Sequence, residues 1–188
     1  IRSIERLGIS AVIMEDKTGL KKNSLNEKTS NQKQESIQNF CNKIKVINST
    51  KINEEFMIIA RIESLILKKG MSDALKRAIK YISAGADGIM IHSKEKTTKE
   101  IFEFASKFRK KFSSVPLVCV PSTYNTVREN NLIAKKFNIV IYANHLFRSA
   151  YPAMEKTARE ILKYGRSKES DKNLISIKEI LKLIPGTD

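Results

Sequence analysis

Residues 10–25 read SAVIMEDKTGLKKNSL, and the architecture follows from how that string breaks in its middle. Ala11-Val12-Ile13-Met14 is an unbroken apolar run of the length and composition of a strand buried on both faces. It stops at Glu15-Asp16-Lys17 and passes into a polar, glycine-containing segment ending in Asn23-Ser24. Parallel α/β proteins expose chemistry at such junctions, because the sheet fixes a residue's position while the C-terminal end of its strand opens onto solvent.

Moving outward, the same break recurs four times. Phe56-Met57-Ile58-Ile59-Ala60 ends in Arg61 and Glu63, and Gly88-Ile89-Met90-Ile91 ends in His92-Ser93-Lys94. Residues 116–120 stop at Pro121 before Ser122-Thr123-Tyr124-Asn125, and residues 138–143 end in Asn144-His145. Helical periodicity fills the intervals. Ile37, Phe40, Cys41 and Ile44 mark a helix over 35–46; Ala74, Leu75, Ala78, Ile79 and Ile82 mark one over 71–84, begun by Ser72-Asp73 and stopped by Gly85. Ile101, Phe102, Ala105 and Phe108 mark a helix over 98–112, a short one is expected over 125–136, and a long one over 146–164. Residues 1–9 read as the tail of a helix closed by Gly8, and residues 16–35, poor in large apolar side chains, as one long loop. A polar linker over 165–174 leads to a final helix over 175–184 whose stripe is Ile177, Ile180, Leu181 and Ile184.

Five apolar strands alternating with helices predict a parallel sheet with helical crossovers. No G-x-G-x-x-G follows any strand, and the uniform strand-end chemistry favours a TIM-type (β/α)8 barrel over a dinucleotide fold. A complete barrel takes about 250 residues and eight strands. The 188 residues here therefore predict about five β/α units of such a barrel plus a C-terminal helix, with the strands over 10–15 and 138–143 at the sheet's two edges.

The net charge of +15 raises nucleic acid as a partner, but acids and bases interleave, as in Lys94-Glu95-Lys96 and Lys168-Glu169-Ser170-Asp171-Lys172, so the charge reads as a solvated surface. No apolar run approaches the ~20 residues of a membrane helix. Residues 1–6 carry both signs of charge and no apolar core of a signal peptide, and Cys41 and Cys119 are too few for a disulfide framework, so the expectation is a cytoplasmic protein without membrane or nucleic-acid partners.

Glu15, Arg61 and His92 each follow directly on a buried strand, so in a parallel sheet all three project at one edge. A carboxylate, a guanidinium and an imidazole there suit a metal-assisted anion site: the acid for a hard cation such as Mg²⁺, the Arg for a phosphate or carboxylate, the His as hydrogen-bond donor or acid/base. Asp16, Lys17 and Glu63 read as ion pairs that keep the rim in shape, and Asn144 and His145 as rim structure. Lys21, Asn23 and Ser24 read, by residue type alone, as ordinary loop polarity.

Glu15-Asp16-Lys17, five further residues and Asn23-Ser24 resemble the signature of the phosphoenolpyruvate mutase family, E-D-K then N-S with that spacing. Ile58 to Glu63, Gly85 to Lys94 and Val140 to His145 resemble later strands of the same family in order. The resemblance runs essentially end to end and implies barrel strands four to eight, the first three having no counterpart. It implies interconversion of phosphoenolpyruvate and phosphonopyruvate, the step that forms a P–C bond in phosphonate biosynthesis, with Mg²⁺. Glu15 would reach the metal through water, and Arg61 and His92 would hold the phosphoryl group. Lys21, Asn23 and Ser24 would belong to a gating loop, with Asn23 nearest the moving group. The aspartates that ligate the metal directly in this family belong to the strands without counterpart. Expected from this are an isolated chain that is marginally stable and inactive, and a Mg²⁺-dependent enzyme once extended by roughly 60 to 100 residues, the shortfall from a typical barrel. The superfamily's lyase branch carries a K-K-C-G-H type loop that this sequence lacks, and phosphonopyruvate hydrolase departs in the gating loop, so Asn23-Ser24 favours a mutase; the alternative of another class is a non-catalytic remnant or basic binding protein that retains the scaffold. Exchange of the C-terminal helix between subunits, common in the superfamily, implies a homo-oligomer, a dimer or tetramer.

Overall fold

A computed structural model describes residues 1–19, 32–184 and 186. The chain divides into two compact units, Ile1–Tyr142 and Ala143–Asp188.

The first unit opens with α1 (Arg2–Arg6) and continues through β1 (Ala11–Glu15), β2 (Lys17–Thr18), β3 (Lys33–Gln34), α2 (Ile37–Thr50), β4 (Met57–Ile62), α3 (Gly70–Ser83) and β5 (Gly88–Ile91). It closes with α4 (Lys99–Arg109), β6 (Leu117–Cys119), α5 (Glu129–Ala134) and β7 (Ile139–Val140). Its main sheet runs in the order β1-β4-β5-β6-β7, every pair parallel, which is the topology expected of consecutive β/α units, with β1 and β7 at the edges.

Strand alternation sorts the side chains onto two faces. Ala60, Ile62, Ile89, Ile91, Leu117 and Cys119 meet the helices, packing with Phe40 and Ile44 of α2, Ala78 and Tyr81 of α3, and Phe104 and Phe108 of α4. Ile59, Met90, Val118 and Val120, flanked by Ala11 and Ile141, form a smaller apolar layer on the other face. That face is open where the sheet ends: Ile13 and Ile139, which register against Ile59 and Val118, are each 39% exposed.

Three expectations are corrected. Residues 16–35 are not one loop, because Lys17 pairs with Gln34 and Thr18 with Lys33 in an antiparallel ribbon of β2 and β3. The last strand is shorter than 138–143, and α5 starts only at Glu129, after a turn in which the Val127 amide donates to the Tyr124 carbonyl.

The second unit holds α6 (His145–Tyr164), a 3₁₀ helix (Lys168–Asn173) inside the expected linker, and α7 (Ile177–Leu181), shorter than the predicted 175–184. Gly165 ends α6 at φ 64°, the left-handed conformation that glycine adopts without strain. Ser176 and Glu179 make a reciprocal capping box at the start of α7.

Candidate functional site

The register sets the site. Glu15, the last residue of β1, lies opposite Arg61 of β4, and Arg61 lies opposite Met90 of β5. Residues two apart on a strand share a face, so His92, two past Met90, and Glu63, two past Arg61, join them on the open face at the C-terminal edge. The structure thus brings Glu15, Arg61 and His92 to one edge of one sheet.

Four charges there close a ring of alternating sign. Lys17 Nζ lies 2.9 Å from Glu15 Oε1 and 3.1 Å from Glu63 Oε2. Arg61 Nε lies 2.7 Å from Glu63 Oε1, and its Nη2 3.4 Å from Glu15 Oε1. All four side chains are buried or nearly so, Glu63 completely, so each charge depends on its two neighbours rather than on water. Sequence reasoning paired Lys17 and Glu63 with the rim in general, but closure of the ring through Arg61 requires the register.

His92 is buried, and its Nδ1 lacks a hydrogen-bond partner among the described residues. Burial is the main cause of an imidazole pKa lowered to about 4; the nearby charge of Arg61 lowers it further, Glu15 opposes, and Lys17 and Lys94 add to the depression. His92 is neutral at pH 7, able to donate from one ring nitrogen and accept at the other.

Asp16 faces the opposite way, into the helix side, where it is fully buried. Its Oδ1 accepts from the Glu63 amide at 2.9 Å; its Oδ2 accepts from Tyr81 Oη and Gln34 Nε2, both at 2.8 Å, and from Arg77 Nη1 at 3.2 Å. Burial raises this carboxyl to about 6 against the pull of those four donors. Arg77 and Tyr81 escaped sequence reasoning. Their signal was an arginine on the buried stripe of α3, between Ala74 and Ala78.

These two shifts oppose each other in the pH dependence of stability. Below the ordinary 6.5, the unfolded His92 takes up a proton that the folded one refuses until about 4, so its contribution is lost as pH falls through that window. Between the ordinary 3.8 and about 6, folded Asp16 keeps a proton that the unfolded chain has released, so its contribution is lost as pH rises. Each amounts to about 3 kcal/mol at its limit, with opposite sign. Thermal melts from pH 4 to 6 are therefore expected to show little net slope from this pair, and His92→Gln to reveal a decline of stability with rising pH. A variant profile parallel to that of the parent would contradict this assignment.

Lys21, Asn23 and Ser24 lie outside the described residues. Asn144 and His145 belong to the second unit, as the N-cap and first residue of α6. Among the described residues, no three His, Cys, Asp or Glu side chains gather as a metal site. Glu15 can offer an oxygen to a cation, but it is already paired with Lys17 and Arg61, and by itself it is not a ligand set for Mg²⁺.

A parallel sheet of β/α units, with its polar cluster at the carboxyl ends of the strands, defines an α/β barrel-type protein. More particularly, the chain belongs to the phosphoenolpyruvate phosphomutase family, whose profile matches residues 1–162. It is 39% identical over 180 residues to the phosphonopyruvate hydrolase of Variovorax sp. (strain Pal2), covering 95% of this chain and 61% of that protein. It resembles the crystal structure of a phosphoenolpyruvate phosphomutase from Streptomyces platensis subsp. rosaceus with a TM-score of 0.88 at 34% identity, covering 97% of this chain and 62% of that one. A phosphonopyruvate hydrolase in complex with oxalate and Mg²⁺ is similar with a TM-score of 0.81 at 37% identity, covering 95% of this chain and 60% of that one. The chain thus spans about three-fifths of the length of these relatives.

Proposed function

We propose that this chain supplies the phosphoryl-binding side of an enzyme acting on phosphonopyruvate, and that the reaction is its interconversion with phosphoenolpyruvate. The observation that carries this reading is the buried ring of Glu15, Lys17, Glu63 and Arg61 beside a neutral, buried His92 whose Nδ1 lacks a partner among the described residues. The ring holds the Arg61 guanidinium at two of its nitrogens, which presets its plane for an anion. His92 adds a hydrogen bond without adding a charge. Phosphoryl transfer passes through a loose, metaphosphate-like transition state, so fixed donors and exclusion of water do most of the catalysis. Mg²⁺ belongs to the proposal as the cofactor that would offset phosphoryl charge; of the described residues, Glu15 would face it through water. That a similar hydrolase binds oxalate and Mg²⁺ supports the cofactor.

Mutase rather than hydrolase rests on Asn23-Ser24, the part of the sequence signature on which those two activities part. The hydrolase is the second reading, favoured by 39% identity to one. Phosphorus NMR of the chain extended by the roughly 60 to 100 residues expected above, incubated with phosphonopyruvate and Mg²⁺, separates them. Phosphoenolpyruvate supports the mutase, orthophosphate transfers the proposal to hydrolysis, and an unchanged spectrum rejects both in favour of a non-catalytic remnant.

The proposal includes a cytoplasmic homo-oligomer, without nucleic-acid partners, assembled through the second unit. Among the described residues, no helix is long and apolar enough to cross a membrane. Yet α6 exposes Leu146, Phe147, Tyr151, Met154 and Leu162, and the α7 region exposes Ile177 and Leu183, far more apolar surface than 46 residues ordinarily leave to water. Exchange of α7 between copies would cover it. Light scattering is expected to return a mass of two or four protomers, and a monomer would remove this part of the proposal.

A further inference from the structure

We infer that Arg77 and Tyr81 of α3 are positioning residues for the proposed reaction: acting through Asp16, they set the relative placement of Glu15, Lys17, Arg61 and Glu63. The inference rests on the function proposed above, but its geometry stands apart from it. Asp73, Arg77 and Tyr81 follow one another at successive turns on one stripe of α3. From there Arg77 gathers three segments of chain that are distant in sequence. Its Nη1 donates to Asp16 Oδ2 after β1 and, at 2.8 Å, to the Glu35 carbonyl after β3 and to Tyr81 Oη. Its Nε donates to Asp73 Oδ2 at 2.9 Å, and Asp73 Oδ2 also accepts from Ser64 Oγ, beyond β4, at 2.7 Å. Gln34 Nε2 closes the circuit by donating to both Asp16 Oδ2 and, at 3.0 Å, Ser64 Oγ.

Asp16 is where this network meets the site. Glu15 and Lys17 flank it in sequence and belong to the ring on the other face, and its Oδ1 holds the backbone amide of Glu63, which closes the ring. The Asp16 amide also donates to the Arg61 carbonyl at 3.1 Å. One carboxylate therefore fixes the backbone from which all four charges of the ring project. Stability does not call for such a device: a buried ion pair of this size can often be replaced by apolar side chains without loss. What an apolar filling would not supply is a defined distance between the end of β1 and the exit of β4.

Tyr81→Phe is the cleanest test, because it removes one hydroxyl from Asp16 and leaves the ring packed against Phe40 in the core. In the extended chain the expected result is a kcat for phosphonopyruvate about 10- to 100-fold lower with little change in KM, and faster hydrogen exchange at the Glu63 amide. Arg77→Lys keeps the charge but loses the planar fork, and it should be as impaired as Arg77→Met. Parental kcat in Tyr81→Phe, parental protection of the Glu63 amide, or full rescue by Arg77→Lys would each overturn the inference. If the extended parent leaves phosphonopyruvate untouched, the proposed function has failed, and the exchange rate of Glu63 in Tyr81→Phe still decides: acceleration supports positioning through Asp16, and no change overturns it.

Discussion

In the extended chain, and for the reaction proposed above, Arg61→Met is expected to lower kcat/KM for phosphonopyruvate by about two to three orders of magnitude, the scale seen when a fixed electrostatic donor to a developing anion is removed. The reason is the ring. With Arg61 present, two cations of the ring face two carboxylates; without it, Lys17 is the ring's remaining cation, and the ring turns from neutral to anionic where the proposed reaction seats the phosphonate. Arg61→Lys is expected to recover only part of the loss, because an ammonium cannot reach Glu15 and Glu63 at once in the plane that the guanidinium occupies. Steady-state kinetics of both variants check this, and an Arg61→Met enzyme within threefold of the parent would remove Arg61 from the site.

Asp16→Ala should give the largest loss of stability among substitutions at the strand ends, about 3–5 kcal/mol, since it leaves the buried Arg77 guanidinium with the partly exposed Asp73 in place of two carboxylates. Tyr81 Oη, Gln34 Nε2 and the Glu63 amide lose their acceptor as well. For a chain of this size such a loss corresponds to roughly 10 °C in Tm. The double variant Asp16→Ala/Arg77→Met is expected to be more stable than the single one, because it removes the stranded charge along with its partner. Calorimetry of the two variants separates this account from simple cavity formation, under which the double variant would be the weaker.

The main sheet was legible because each of its strands is an apolar run cut off by a polar residue, a signal that survives without any knowledge of partners. Glu15, Arg61 and His92 were legible for the same reason, since parallel strands deliver their final residues to one edge whatever the register. The ribbon of β2 and β3 was not. Lys17-Thr18 and Lys33-Gln34 carry no hydrophobic pattern, and what pairs them is backbone hydrogen bonding, together with the Gln34 amide reaching Asp16. Arg77 was missed because a helix face with one charge among alanines reads locally as a boundary of the polar side. Only the fold, by bringing Asp16 beneath it, turns that arginine into a core residue. The fold implied by the family resemblance was right, whereas Lys21, Asn23 and Ser24 were legible by motif alone.

The β2–β3 ribbon also bears on how this chain can vary. Thr18 and Lys33 are joined by the strand pairing and by a bond from Thr18 Oγ1 to the Lys33 carbonyl at 3.2 Å, so whatever lies between them enters and leaves through a fixed two-residue neck. The neck is tied to Asp16 on the helix side through Gln34 and the Glu35 amide, and on the other face its Lys17 belongs to the charge ring. Length added between Thr18 and Lys33 therefore meets both anchors before it reaches Glu15 or Arg61, and doubling it costs only about 0.6 kcal/mol in closure entropy. Insertions and deletions within that span, made as a graded series, should leave Tm nearly level while turnover is free to change with each one. The neck thus separates the span carrying Asn23 and Ser24, where a change of length is expected to be cheap, from the strand ends that hold the ring.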